Sequence, residues 1–362
     1  MALPLPPVLS PAEAAQYSRT LAPYVFSSQI LELPSRVVDA ANSTDALHSF
    51  QELYLATNPM LTAVAFALAL CPFFVLAAEI RNNYSQVDCW WPILPSIYNL
   101  HFYAWAYGNG LPTDRLQTVG VISVLWTVRL TYNYWRKGGY SWGAEDYRWP
   151  ILREKINNRF LFFLFDVVFI ALTQSLLLCA VTAPTYLFTL LAQLPKTGST
   201  FDIADLVFSR LLFFYLLIEI VADEQQWRYQ QAKHKYRDTG VVTEGYDKED
   251  LERGFVVSGL WSYSRHPNFA AEQAIWLTLY IWSAYKTETY FNWAGVGALG
   301  YLALFQGSTW LTEKLSGEKY PEYAEYQARV GRFIPRWSVS AKGQKKTKAQ
   351  ADAKKIEEKK KE

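Results

Sequence analysis

The chain has 362 residues, 51% of them apolar, with 35 basic and 33 acidic residues and a formal net charge of +2. So small a charge excess excludes a surface built to grip nucleic acid. Cys71, Cys89 and Cys179 lie far apart without a C-x-x-C pair, so neither a disulfide framework nor a metal site is expected.

Residues 1–57 read as a poorly defined N-terminal segment, with scattered prolines and no basic start followed by an apolar run. They are not a secretory signal. Seven apolar stretches follow: Asn58–Ala78, Pro92–Tyr107, Leu116–Tyr134, Phe160–Leu191, Asp205–Val221, Phe269–Tyr285 and Phe291–Leu311. Each is compared with the roughly 20 residues that carry an α-helix across a bilayer core. The fourth is either one strongly tilted helix or two helices kinked near Pro184. The predicted fold is therefore all-α, a polytopic membrane bundle over residues 58–337, with a Lys-rich tail at 338–362 that cannot bury a core.

Basic residues crowd Arg136–Arg159, Arg228–Arg253 and the C-terminus, while the intervening loops hold Arg115, Lys196 and Lys286. Lys and Arg favour the cytosolic side, which predicts a lumenal N-terminus and a cytosolic C-terminus. Of the sequons Asn42-Ser43-Thr44 and Asn83-Tyr84-Ser85, only the first would then be glycosylated. Trp90, Trp91, Trp135, Trp142, Trp149, Trp227 and Trp261 sit near the proposed boundaries, as an interfacial belt requires. The terminal Lys359-Lys360-Lys361-Glu362 resembles an endoplasmic-reticulum retrieval signal.

Gly295-Val296-Gly297-Ala298-Leu299-Gly300 matches a dinucleotide-binding pattern in letters alone. That pattern carries its meaning only between a strand and a helix. Inside an apolar run, small residues at this spacing predict close helix packing instead.

Three polar constellations carry the chemistry. Gly259 to Glu272 runs into the sixth stretch, with Pro267 suited to a first helical turn and Asn268 and Glu272 one turn apart. Polar groups at such a depth are functional-site candidates. Glu219, Asp223, Gln226, Trp227 and Gln230 share a helical face at the end of the fifth stretch. There Asp223 accepts from a ribose or an amide, or pairs with Arg265. Thr312-Glu313-Lys314 and Tyr320, Tyr323, Tyr326 and Arg332 make an aromatic and basic surface, suited to stacking a ring and holding a phosphate or to interfacial anchoring.

Gly259-Leu260-x-x-Tyr263-Ser264-Arg265-His266-Pro267-Asn268-x-x-x-Glu272, the Tyr-x-x-Tyr and Phe333-Ile334-Pro335 together resemble the C-terminal domain of steroid 5α-reductases. With Arg136–Tyr140, Glu145–Trp149 and Ala222–Trp227, the chain is closer still to the membrane proteins grouped as domain of unknown function 1295. The resemblance covers roughly residues 60–337. It implies an NADPH-dependent enzyme of the endoplasmic-reticulum membrane, transferring hydride to a C=C conjugated to a carbonyl in a hydrophobic, steroid- or lipid-like substrate. By the same analogy Asp223, Asn268 and Glu272 contact the cofactor, Tyr263, Arg265 and His266 line it, Tyr326 and Arg332 adjoin it, and Arg253 and Arg237 meet its phosphates. Glu272, Tyr132, Tyr134 and Tyr140 are the candidates for acid chemistry. The reductases carry a histidine shortly before the final tyrosines, where this chain reads Glu313-Lys314-Leu315-Ser316. Two alternatives stay open. Isoprenylcysteine carboxyl methyltransferases share the Arg-His-Pro-Asn signature and bind S-adenosylmethionine, and a non-catalytic lipid-binding scaffold would also keep the fold.

Overall fold

A computed structural model describes residues 3–25, 29–195 and 200–336. Lys196 and the Lys-rich tail, with its retrieval-like ending, lie outside the described residues. No strand forms among the described residues, and the isolated pairing of Ser264 with Gly331 is a backbone bridge between loops. The chain separates into two compact units, the first of residues 1–214 and 273–304, the second of residues 215–272 and 305–362.

The first unit begins with short turns and two amphipathic helices, α1 (Gln29–Ala41) and α2 (Ala46–Leu55). Next comes α3 (Pro59–Arg81), which starts where it does because Pro59 fits the first turn and the Asn58 side chain accepts the amides of Met60 and Leu61. Asn82 ends it in the left-handed region, at φ 47°. Helices α4 (Leu94–Gly108) and α5 (Asp114–Arg136) follow, then α6 (Arg148–Ile156). The fourth apolar stretch is divided. Helix α7 (Arg159–Phe165) passes into a π-helical segment, Asp166–Thr173, then α8 (Gln174–Ala180), and a turn at Val181-Thr182 precedes α9 (Ala183–Leu191). Pro184 suits the break, since it sits in the first turn of α9, where its missing N–H costs little.

Helix α10 (Ile203–Thr239) is a single element of 37 residues. The short α11 (Lys248–Arg253), α12 (Pro267–Lys286), α13 (Gly295–Lys319) and α14 (Tyr323–Arg329) complete the chain. Two helical segments, Pro59–Arg81 and Arg159–Leu191, are long and apolar enough to cross a membrane. The other five stretches also form helices, yet they fall short of that length or hydropathy. Polar residues such as Asn268 and Glu272 in α12 dilute them.

Polar ties organise the first unit. Asp205, wholly buried, accepts from Arg115 Nε at 3.0 Å and Trp282 Nε1 at 2.8 Å, and pairs with Lys286 Nζ at 3.0 Å. Lys286 also reaches Asp202 at 2.6 Å. A buried carboxylate tolerates desolvation when it is paired in this way. The loop between α5 and α6 is tied to residues 83–88. Asn83 Nδ2 donates to the Ala144 carbonyl at 2.8 Å, the Tyr84 amide donates to Glu145 at 3.0 Å, and Trp149 Nε1 donates to Asp88 at 2.8 Å. The second sequon is thereby enclosed, with Asn83 and Ser85 both buried, whereas Asn42 is exposed.

The glycines of α13 pack as the sequence predicts. A Cβ placed on Gly297 would lie 2.1 Å from the Ala180 carbonyl oxygen, and one on Gly300 would lie 3.0 Å from Leu177. The backbone at Ala180 thus approaches α13 where a side chain has no room. Gly297→Leu is expected to destabilise the protein by at least about 1–3 kcal/mol, the usual range for overpacking, whereas Val296→Leu, at a 66% exposed position, should be neutral. Thermal unfolding midpoints in detergent provide the comparison.

Candidate functional site

The second unit is built around the lower part of α10. Its core comprises Tyr229, Ala232, Leu251, Val256 and Trp261, with Tyr236 and Tyr246 packed against it. The segment leading to α12 docks on α10 through one tight turn. Gly259 adopts φ 62°, and a Cβ there would lie 2.5 Å from the Gln225 amide. This position therefore requires glycine for both its conformation and its clearance. The Gln225 carbonyl oxygen accepts the Leu260 amide at 2.9 Å, and Trp261 Nε1 donates to the Ala222 carbonyl at 3.2 Å.

Beyond this turn the chain meets Glu313 of α13. Arg265 donates to its carboxylate with Nε at 2.7 Å and Nη2 at 3.1 Å, a two-pronged contact. His266 Nε2 lies 3.0 Å from the same Oε1, Gln327 Nε2 donates to Oε2 at 3.2 Å, and Arg332 Nε stands 3.4 Å away. Arg265 spends its remaining Nη1 on the carbonyls of Gln327 and Val330. The backbone repeats the connection, with the Arg265 amide donating to Gly331 O at 2.9 Å and the His266 amide to Arg332 O at 3.1 Å. Burial pushes the Glu313 carboxyl up, but hydrogen bonds from His266 and Arg265 and the Arg265 charge outweigh it and hold the group down to about 2.

With Arg265 engaged by Glu313, Asp223 takes a different partner. Its Oδ1 accepts from Asn268 Nδ2 at 3.0 Å, while the Asn268 carbonyl oxygen accepts the Phe269 amide at 3.0 Å. The pairing of Asp223 with Arg265 considered from the sequence therefore does not form, and the side chain of Asn268 stands at the Asp223 carboxylate instead. Glu272, one turn further along α12, is buried at 5% exposure. The Tyr263 ring lies at the surface with 66% exposure. Together these residues offer two carboxylates, an amide and an aromatic face, all held within the second unit.

The remaining expected residues are placed as follows. Tyr323 and Tyr326 are buried, with ring centroids 5.1 and 5.4 Å from Phe255, and the Tyr326 hydroxyl donates to the Trp261 carbonyl. The expected aromatic surface is thus corrected at these two tyrosines. Their spacing of three puts both on one face of α14, and that face packs on Phe255. Arg253 is held by Asp250 at 2.7 Å and Glu322 at 3.3 Å. Tyr132 and Tyr140 belong to the first unit. Tyr132 is half exposed under the Arg136 guanidinium, and the Tyr140 hydroxyl donates to the Cys89 carbonyl at 3.1 Å. Sequence reasoning singled out neither Glu313 as the hub nor Gln225 and Gln327 as supports. The available signal was an Arg-His pair that needs a buried counter-charge.

Glu313→Gln should cost about 3 kcal/mol or more, because the buried Arg265 guanidinium loses its counter-charge. A carboxyl held below its unfolded value stabilises the fold above that value and loses the effect as pH falls through the folded one. The advantage of wild type over the variant should be constant above the ordinary value of 4.5 and shrink as pH drops toward about 2. Unfolding midpoints measured across that window test the expectation.

Comparison with known proteins yields a family and a relative. The model for the family described as protein of unknown function (DUF1295) matches residues 73–330. An uncharacterized protein of Schizosaccharomyces pombe is 38% identical over 338 residues, covering 93% of this chain and 94% of that protein. No solved structure matches. The matched span takes in the Asp223–Asn268 pair and Glu313 with its partners as far as Val330, and on both the family model and the relative the chain belongs to the DUF1295 family.

Proposed function

We propose that the chain is an NADPH-dependent reductase of the endoplasmic-reticulum membrane, acting on a C=C conjugated to a carbonyl in a hydrophobic steroid- or lipid-like substrate. The observation that carries this reading is the hydrogen-bonded pair of Asp223 and Asn268, with Glu272 one turn along the same helix. Carboxylates and a carboxamide suit the hydroxyls of a ribose and the amide of a nicotinamide. The exposed ring of Tyr263 suits stacking. NADPH would supply the hydride, and the donor set fits its sugar and amide portions.

Each protein group has a limited task. Asp223 orients the Asn268 side chain by accepting from its amide at 3.0 Å, and in this reading the carboxylate turns to a ribose hydroxyl when the nucleotide binds. Glu272, buried one turn further along the same helix, is the second carboxylate of the reading. Arg265 and His266 are engaged by Glu313, so their part in this reading is to fix the start of α12 and hence the direction of Asn268 and Glu272. A seven-span membrane bundle with a cytosolic C-terminus completes the reading. It is supported by the two apolar helical segments, the five further helices at the expected stretches and the distribution of basic loops.

The purified protein should bind NADPH, and Asp223→Ala or Asn268→Ala should weaken binding by roughly tenfold, the usual worth of a lost hydrogen bond to a charged or buried partner. Binding of S-adenosylmethionine instead would move the chain to methyl transfer, and binding of neither would leave a lipid-binding scaffold. Topology has its own readout. A shift in gel mobility on endoglycosidase treatment should disappear in Asn42→Gln and persist in Asn83→Gln.

A further inference from the structure

One lysine in the second unit is buried without an acid. Lys233 of α10 is 6% exposed, and its ammonium donates to the Gly254 carbonyl at 3.0 Å. The charged groups that act on it most are Lys319 and Arg237, both of its own sign. Burial and these two cations push its ammonium down to about 8. The acids nearby are committed elsewhere, Asp250 and Glu322 to Arg253 and Glu252 to Lys248 and the Tyr236 hydroxyl. Among the described residues, no carboxylate lies within ion-pairing reach of Lys233, Arg237 or Lys319. Gly254 aims its carbonyl from a fixed position. It caps α11 at φ 86°, and a Cβ there would lie 2.4 Å from the Tyr320 ring. A buried cation among like charges is costly to keep, and this one is held in place by glycine-dependent backbone.

Its position on α10 adds a direction. Glu219, Asp223, Gln226, Gln230, Lys233 and Arg237 follow one another at steps of four, three, four, three and four, the repeat of a single helical face. The helix is continuous through all of them, so the acceptor end at Asp223 and the cationic end at Lys233 lie about 15 Å apart along one polar stripe. We propose that Lys233, Arg237 and Lys319 together hold a phosphate group. Three cations with one buried and two exposed suit a dianion better than a carboxylate, with lysines acting as point charges and Arg237 as a two-pronged donor. The phosphate belongs either to a nucleotide laid along the stripe from Asp223 or to an anionic lipid headgroup. The nucleotide source rests on the reductase reading, whereas the phosphate site does not.

The test uses the full chain in detergent, with inorganic pyrophosphate, NADPH, NADH and phosphatidic-acid vesicles as probes. Binding is followed by titration calorimetry and by protection of Lys319, the exposed lysine of the three, from acetylation, read by mass spectrometry. Pyrophosphate is expected to bind and to protect Lys319. Arg237→Gln and Lys319→Gln, both at exposed positions, should each weaken it several-fold, and Lys233→Met roughly tenfold or more. Lys233→Met should unfold at the same or a higher temperature than wild type, because an unpaired buried charge has been removed. Protection by NADPH at lower concentration than NADH assigns the site to the extra phosphate of the nucleotide. Protection by vesicles, with nucleotides inert, assigns it to lipid and removes support from the reductase reading while leaving the site standing. Equal pyrophosphate binding by wild type and a variant carrying Lys233→Met, Arg237→Gln and Lys319→Gln together, or no protection by any probe at millimolar concentration, overturns the proposal.

Discussion

Glu313 receives Arg265, His266, Gln327 and Arg332 on one carboxylate, and the arrangement of the second unit depends on that convergence. The carboxylate sits near the end of α13, Arg265 and His266 immediately precede α12, and Gln327 and Arg332 lie in and after α14. Three separate parts of the chain are thus fixed to one another by a charge that could not be buried singly. The backbone bonds between residues 265–266 and 331–332 follow the same line and hold the register. Asn268 comes three residues after Arg265, so the direction it presents to Asp223 is set by this anchor rather than by α12 alone.

The reach of sequence reasoning differed between elements for physical reasons. Helices could be located because apolar length is a local property, and the interruption before Pro184 was legible because proline acts on its own neighbourhood. The packing role of Gly297 was legible for the same reason. Glu313 was not, since a charged residue at the end of an apolar stretch reads equally as a solvated terminus. Its meaning depends on Arg265, which is 48 residues away in sequence. Tyr323 and Tyr326 were misread as surface because tyrosine carries both an apolar ring and a hydroxyl. Only the position of Phe255, which no local pattern announces, decides which way they face. Asp223 and Asn268 were each expected at a cofactor, in separate constellations, and their direct hydrogen bond across 45 residues is a tertiary fact.

The contrast between the acids and cations of this unit bears on its chemistry. Arg265 and Arg253 have carboxylate partners and act chiefly as structural ties, although the resemblance gives both a place beside a ligand. Lys233 and Lys319 carry no expected role and Arg237 does, and among the described residues all three lack such partners. Motif membership and availability for a ligand are therefore distinct properties here. The geometry of neutralisation separates the residues that build the site from those with charge left to offer.

The late position of these ties along the chain has a consequence for biosynthesis. Arg265 and Ser264 emerge well before Glu313 and Arg332, their partners 48 and 68 residues downstream. Throughout that interval the guanidinium at the head of α12 has no counter-charge, and the start of that helix has no register. The nascent protein must pass through this unfinished state, whose exposed charge and unpaired backbone are features that cellular quality control can read. A premature stop or frameshift shortly before residue 313 would leave most helices intact yet arrest the chain in that state. Such lesions would then act through degradation of the whole protein, well beyond the loss of its last segment.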